Sequence, residues 1–203
     1  MSEKEKMLSG EIYISADKEL SKARSEARDY SQAFNRTTEL DGAKRKAILG
    51  NLLGELGEKS ILFPRVNFDY GSNTYIGKNC FFNFNTTFLD AADIIFGDNV
   101  LVGPNCSFLT PVHPMHGIER RQLQDEHGNW FTPEYAKPIT VGNDVWICGN
   151  VVVNGGVTIG DGAVIASGSV VTRDIPANTF AAGNPCRVIR EITDEDFMLD
   201  DRE

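Results

Sequence analysis

Two textures divide the chain. Up to about residue 58 the apolar residues recur at helical spacing. Beyond about residue 60 aliphatic and aromatic residues alternate with Gly, Asn and Asp, and the helical period is gone. Within residues 16–34, Leu20, Ala23, Ala27, Tyr30 and Phe34 share one side with charges between them, which predicts an amphipathic helix. Residues 39–56 predict a second helix, with Ala43, Ala47, Leu52 and Leu56 on its apolar side and Thr38 as its N-cap. Gly50 and Gly54 weaken the later half of that helix.

The second texture is a repeat with a period of six. Residues 141–176 divide into the successive hexads VGNDVW, ICGNVV, VNGGVT, IGDGAV, IASGSV and VTRDIP. Val or Ile fills every first position. The fifth is occupied by Val145, Val151, Val157, Ala163, Ser169 and Ile175. An earlier block has the same form. IGKNCF starts at Ile76, FNFNTT and FLDAAD keep the step, and after a shift at Ile94 and Ile95 come FGDNVL from Phe96 and VGPNCS from Val102. A break from about Phe108 to Lys137 separates the two blocks.

Each hexad can supply one short strand and one bend. The first residue plugs inward. Gly, Asn and Asp then turn the chain, because they accept positive φ cheaply. The fifth residue points inward where a corner leaves little room. Three such sides close a triangular coil, and successive coils stack at roughly 4.8 Å. Ordinary hairpins would show a period of two instead. The fold class expected is therefore mainly β: a parallel β-helix of hexapeptide repeats behind a short α-helical N-terminal segment. The helical segment is expected over residues 1–58 and the β-helix over 59–190, with an extended loop at about 109–137 and a tail at 191–203. Spacing does not set the hand of the coil, although parallel crossovers are right-handed as a rule.

Composition narrows the partners. The net charge of −9 repels a polyphosphate backbone, so nucleic acid is not expected, and any phosphate-bearing ligand needs a local cluster of cations. No apolar run approaches the roughly 18 residues of a membrane span. The opening MSEKEKMLSG has no apolar core, so neither membrane nor secretion is expected. Cys80, Cys106, Cys148 and Cys186 form no CxxC pair and read as reduced thiols of a cytoplasmic protein. Cys80 and Cys106 fall at fifth positions, where packing explains them.

The candidate chemistry lies in the break, which holds all three histidines: His113, His116 and His127. A neutral imidazole suits general-base work near pH 7. Composition does not choose among the three. Three histidines also raise the idea of a zinc site, but His127 lies far along the loop from the other two.

The hexads resemble the aliphatic-Gly-x-x-x-x signature of hexapeptide-repeat acyltransferases. The segments MLSGEIYISADKEL, DYGSNTYIGKNCFFNFNTTFLD, the His-Pro at 113–114, PITVGNDVWICGNVVVNGGVTIGDGAVIASGSVVTRDIP and AAGNPCRVIREI are similar to the maltose and galactoside O-acetyltransferase family. The resemblance implies a left-handed coil, against the general rule. It implies acetyl-CoA as co-substrate without a metal, and a sugar such as maltose, glucose or a galactoside acetylated on its 6-hydroxyl. It implies direct transfer with His113 as the general base.

Acceptor contacts implied by the resemblance are Asn83, Asp69, Ser15 with Asp17 nearby, and Asp90, which stands beside the family position held here by Ala91. Coenzyme contacts implied in the same way are Trp146 beside the acetyl end, Gly149 and Ser167 along the pantetheine arm, and Thr172, Arg173, Arg187 and Arg190. A homotrimer with active sites between subunits is implied too, the 109–137 loop reaching a neighbour. Transfer to a different small acceptor, or a non-catalytic β-helix binding protein, is the alternative.

Overall fold

The computed structural model describes residues 1–125 and 127–199. It is a parallel β-solenoid of about six turns, with three helices packed at its start. Three helices precede the coils: α1 (Glu3–Ser9), α2 (Lys18–Asn35) and α3 (Gly42–Leu52).

The three faces of the prism are parallel sheets. The first stacks Glu55–Leu56, Thr74–Ile76, Ile94–Phe96, Ile139–Val141 and Thr158–Ile159. The second stacks Ile61–Leu62, Phe81–Phe82, Leu101–Val102, Trp146–Ile147, Val164–Ile165 and Thr179–Ala182, and Arg187–Glu191 folds back antiparallel to cap it. The third stacks Val66–Phe68, Thr86–Leu89, Ser107–Leu109, Val152–Asn154 and Val170–Val171.

The period-six reading holds in detail. The first positions Val141, Ile147, Val153, Ile159, Ile165 and Val171 are all buried, as are the fifth positions Val145, Val151, Val157, Ala163, Ser169 and Ile175. In the lower coils the same column is aromatic: Phe68, Phe82, Phe88, Phe96 and Phe108. The bends fall at fourth positions, where Asn79, Asn85, Asn99, Asn105, Asp144 and Asn150 have φ of 56 to 61°. Their side chains form ladders along the corners: Asn85 Nδ2 donates to Asn105 Oδ1 at 3.0 Å, and Asn105 Nδ2 to Asn150 Oδ1 at 3.2 Å. At the second position of the Phe96 hexad the coils touch so closely that a Cβ on Gly97 would lie 2.8 Å from the Gly142 carbonyl carbon, which only glycine tolerates.

The helical segment departs from the expectation in three places. α1 has no counterpart in the sequence reading: it is short and highly charged, and its one fully buried residue is Met7. A Ser2–Glu5 capping box starts it and Gly10 ends it. α3 starts after Asp41, not at Thr38, because the Asp41 carboxylate accepts from the Thr38 N–H and hydroxyl and so builds a turn ahead of the helix. It also stops at Leu52. Gly54 lies against the Ser72 carbonyl, and Leu56 belongs to the first coil as a strand residue. The apolar step from Leu52 to Leu56 fits both periods, and the sequence alone reads it as helix.

Phe34, Leu49 and Leu52 plug the open start of the column. Asn35 replaces a missing coil: its side chain donates to the Val66 carbonyl and accepts from the Val66 N–H, both at 2.8 Å. Residues 200–203 of the expected tail lie outside the described residues. No helix is long and apolar enough to cross a membrane among the described residues.

Asp90 is a correction. It was expected to touch an acceptor, but its side chain is fully buried beneath the second coil. It accepts from the Tyr70 N–H at 2.8 Å and the Thr74 hydroxyl at 3.0 Å, while its own carbonyl accepts from Asn73 Nδ2. It therefore braces the turn that carries Asp69 and Tyr70. Burial pushes its carboxyl up to about 6, against the pull of those hydrogen bonds. A raised carboxyl contributes stability that is present below the unfolded value of about 3.9 and lost as pH rises through the folded one. Between about pH 4 and 6, Asp90→Asn should therefore lose less stability than the wild type. The difference in pH slope should amount to about 3 kcal/mol across that window. Denaturant unfolding at several pH values reads the slope, and parallel slopes would refute it.

Candidate active site

The break in the repeat folds back onto the prism. Pro111–Val112 pairs antiparallel with Tyr135–Ala136, and the intervening chain forms a hairpin of Leu123–Gln124 with Trp130–Phe131. His113 follows the first of these strands, at the corner between the third and first faces. Its Nδ1 lies 2.8 Å from the Pro133 carbonyl oxygen. A carbonyl only accepts, so Nδ1 carries the proton and the neutral ring keeps its lone pair on Nε2. Nε2 lies 3.7 Å from Glu134 Oε2, and the imidazole is about half exposed.

Glu134 was not singled out in the sequence. Its largely buried carboxylate accepts from the Tyr13 hydroxyl, and the two backbones form an antiparallel bridge with the Tyr13 N–H 3.1 Å from the Glu134 carbonyl. Burial first and the Glu134 charge second push the Tyr13 phenol up, so it remains a donor.

A second pair of side chains closes the wall. Arg24 of α2 donates to the Tyr70 hydroxyl at 2.6 Å, reaches the Ser15 carbonyl, and lies over the Tyr70 ring. Burial pushes the Tyr70 phenol up to about 12, although the guanidinium pulls it down. One helical turn on, Arg28 pairs with Asp69 at 3.4 Å. Burial raises the Asp69 carboxyl and Arg28 offsets part of the rise. Arg24 and Arg28 carry the i, i+4 spacing that places both on one side of α2. That spacing was the one signal available, and the charges read as an ordinary solvated face. Beneath the wall lies a separate small core of Met7, Tyr13, Leu20, Tyr70, Ala91, Ala92 and Ala136.

The remaining expected residues fall on two different edges of the prism. Phe68, Phe88, Phe108, Val153 and Val171 stack in register on the third face. The residues just after them, including Asp69, the loop leading to His113, Thr172 and Arg173, therefore share the edge between the third and first faces. Phe82, Val102, Ile147 and Ile165 stack on the second face. Asn83, Gly149 and Ser167 therefore share the edge between the second and third faces. Trp146 stands outward on the second face, half exposed, and the capping strand sets Arg187 opposite Ala182 and Arg190 opposite Phe180.

Several of these side chains already have partners. Asn83 Oδ1 accepts from the Phe84 N–H. Asp17 caps α2, with Oδ1 accepting from the Glu19 and Leu20 N–H groups. Arg190 pairs with Asp196 through both terminal nitrogens, at 2.7 and 2.6 Å. One sizeable cavity, ≈ 810 Å³ between α3 and the first coil, contains none of the expected site residues.

Residues 6–57 match the maltose acetyltransferase hexapeptide capping motif, and residues 138–173 match six bacterial transferase hexapeptide repeats. The chain is 40% identical to the galactoside O-acetyltransferase of Escherichia coli K12 over 192 residues, covering 95% of this chain and 90% of that one. It belongs to the maltose and galactoside O-acetyltransferase family.

Solved structures of the family superpose on nearly the whole chain. A maltose O-acetyltransferase from Clostridium difficile 630 matches with a TM-score of 0.88 at 43% identity, covering 96% of this chain and 99% of that one. A galactoside acetyltransferase in complex with coenzyme A matches with a TM-score of 0.89 at 39% identity, covering 99% and 97%. Family membership fixes the enzyme class as an acetyltransferase; the acceptor and the base have to be argued from this chain's own side chains.

Proposed function

We propose that this chain transfers the acetyl group of acetyl-CoA directly to a hydroxyl of a sugar, with His113 as general base. The observation that carries this is the fixed imidazole. Pro133 holds the Nδ1 proton, so Nε2 is the basic nitrogen and stands beside the Glu134 carboxylate. Nε2 takes the proton of the acceptor hydroxyl as its oxygen attacks the thioester carbonyl. The tetrahedral intermediate then expels the thiolate, which takes the proton from the imidazolium. Glu134 stabilises that imidazolium through its charge at a distance that allows no direct hydrogen bond.

The acceptor is assigned to Asp69, Ser15, Asp17 and Asn83, and its reactive position to the 6-hydroxyl. The small Gly149 and Ser167 let a pantetheine arm lie along their edge, with Trp146 at the acetyl end. The exposed Arg173, Arg187 and Arg190 supply the cations that an acidic chain needs for phosphates, and the Thr172 hydroxyl adds a hydrogen-bond donor beside Arg173.

The separation of His113 and Asn83 onto two edges supports a homotrimer. Three prisms in a ring bring the first of these edges of one chain against the second edge of the next. The site would then be completed only between subunits. The cytoplasm, where acetyl-CoA and reduced thiols coexist, is the matching location.

Thiol release from acetyl-CoA over maltose, glucose, galactosides and amino sugars tests the reading. Turnover with a sugar hydroxyl is expected, and release with none of these sugars would overturn it. The Arg190–Asp196 pair gives a second test. Asp196 occupies the guanidinium edge that a phosphate would use, and the pair holds the Asp196 carboxyl down at about 2. Asp196→Asn should lower the KM for acetyl-CoA, by about two- to fivefold because the pair is exposed. The KM for acetyl-pantetheine, which has no phosphate, should stay the same. An unchanged or raised KM for acetyl-CoA would refute it.

A further inference from the structure

We propose that the cavity beneath the first coil binds a free fatty carboxylate: one alkyl chain with an ionised carboxyl head. This does not depend on the acceptor or on the base. The cavity holds ≈ 810 Å³, within the range of small-molecule sites, roughly 300–1,000 Å³. Its origin lies in the topology. The second face starts at Ile61–Leu62, so no coil lies below that strand, and the space between it and α3 stays open.

The walls are apolar. Leu49 of α3 stands across from Leu56, Ile61, Leu62 and Phe63 of the first coil, and Phe34 closes the back. One neutral polar side chain lines the space, that of Ser60, and it is turned into the coil above. Its hydroxyl donates to the Gly77 carbonyl at 2.6 Å and accepts from the Cys80 N–H at 2.9 Å. Apart from the charged groups, the walls offer nothing to pair with the hydroxyls of a polar ring. They suit an alkyl chain, which needs no such partner.

Charge selects the head group. Arg45, Lys46 and Lys59 line the cavity against Glu39 and Glu58. Both lysines and both glutamates are exposed and reach water. Arg45 is partly buried and held in place. Its Nε donates to the Thr37 hydroxyl at 2.8 Å, and its guanidinium lies over the Phe34 ring, 5.7 Å from the centroid. Thr37 is anchored in turn, donating to the Phe34 carbonyl at 2.6 Å. Among the described residues no carboxylate forms an ion pair with Arg45. Asp41 lies close enough to feel its charge, but that carboxylate accepts from the Thr38 N–H and hydroxyl. The most buried charge of the cavity is thus a prearranged cation beside aromatic and aliphatic walls. It has guanidinium N–H groups left for a carboxylate. An alkylammonium head would meet it with like charge.

The location leaves the cavity accessible. Residues 57–60, which line it, form the corner between the first and second faces. The ring of three proposed above joins the other two edges of the prism, so this corner is free in it.

The test is calorimetric titration of the full chain near neutral pH with dodecanoate below its micelle concentration. The wild type should take up dodecanoate saturably, one per chain. Hexanoate, with six fewer methylenes to bury, should bind at least about tenfold more weakly, and dodecyltrimethylammonium should not bind. Arg45→Gln should weaken dodecanoate binding about tenfold. Ile61→Asp should weaken it at least as much, by setting a carboxylate on the path of the chain. Ile61 is 50% exposed, so this second variant keeps the test open should Arg45→Gln not fold. No saturable uptake by the wild type, equal affinity for dodecanoate and dodecyltrimethylammonium, or unchanged uptake by either variant when folded would overturn the proposal. Sedimentation with anionic phospholipid vesicles without uptake of monomeric dodecanoate would make the corner a membrane contact and overturn it too. So would an Ile61→Asp variant that splits a larger assembly while its dodecanoate uptake is unchanged, which would make the corner a contact between copies.

Discussion

His113→Ala should lower kcat by at least about a hundredfold and leave the KM for both substrates within a few fold. The loss is in the chemical step because the imidazole does little else. Its Nδ1 makes one hydrogen bond, to Pro133, and the ring is about half exposed, so its removal opens no cavity in the core. The unfolding midpoint should hardly move. What remains after the substitution is the rate that comes from holding a hydroxyl beside a thioester. Glu134→Gln separates base from support. A glutamine can still accept from Tyr13 but carries no charge to stabilise an imidazolium, so kcat should fall by a smaller factor, about tenfold. Steady-state thiol release over a range of both substrates distinguishes these outcomes. A folded His113→Ala with near-normal kcat would remove the imidazole from the mechanism.

The sequence made the prism legible because its energetics are local and periodic. One inward side chain per edge and one residue of positive φ per bend leave a mark every six positions. The structure shows Val141, Ile147 and Val153 buried and Asn99, Asn105 and Asn150 turned as that mark requires. The wall of the candidate site leaves no such mark. Tyr13, Arg24, Asp69, Tyr70 and Glu134 come from four separate stretches, and only packing through the small core around Leu20 and Ala136 brings them together. Asp90 shows the reverse error. A carboxylate beside a family acceptor position reads as a ligand, whereas depth, which no local pattern encodes, turns it into a brace. The split of Asn83 from His113 was hidden for the same reason: each fits its motif, and only strand register shows that they lie on different edges.

Phe88→Ala should destabilise the protein by about 3–5 kcal/mol, the range for emptying an aromatic site in a close-packed core. Phe88 is fully buried at the centre of the lower column. It stacks on Phe68 at 4.5 Å and on Phe108 at 5.6 Å between ring centroids, and meets Phe82 and Phe96 at an angle. The coils above and below are pinned by their own backbone ladders, so the cavity cannot collapse. Phe88→Leu leaves a smaller void and should cost roughly half as much. Denaturant unfolding at one fixed protein concentration measures both, because self-association would shift the midpoint by mass action. The strand that holds Phe88 also connects the two sides of the site. Leu89 accepts from the Thr110 hydroxyl at 2.7 Å just before the chain leaves for His113, and Asp90 holds the turn carrying Asp69. A slack strand here should therefore cost turnover in the variant that remains folded. If Phe88→Ala unfolds at the wild-type midpoint, the aromatic column is not what holds the lower coils together.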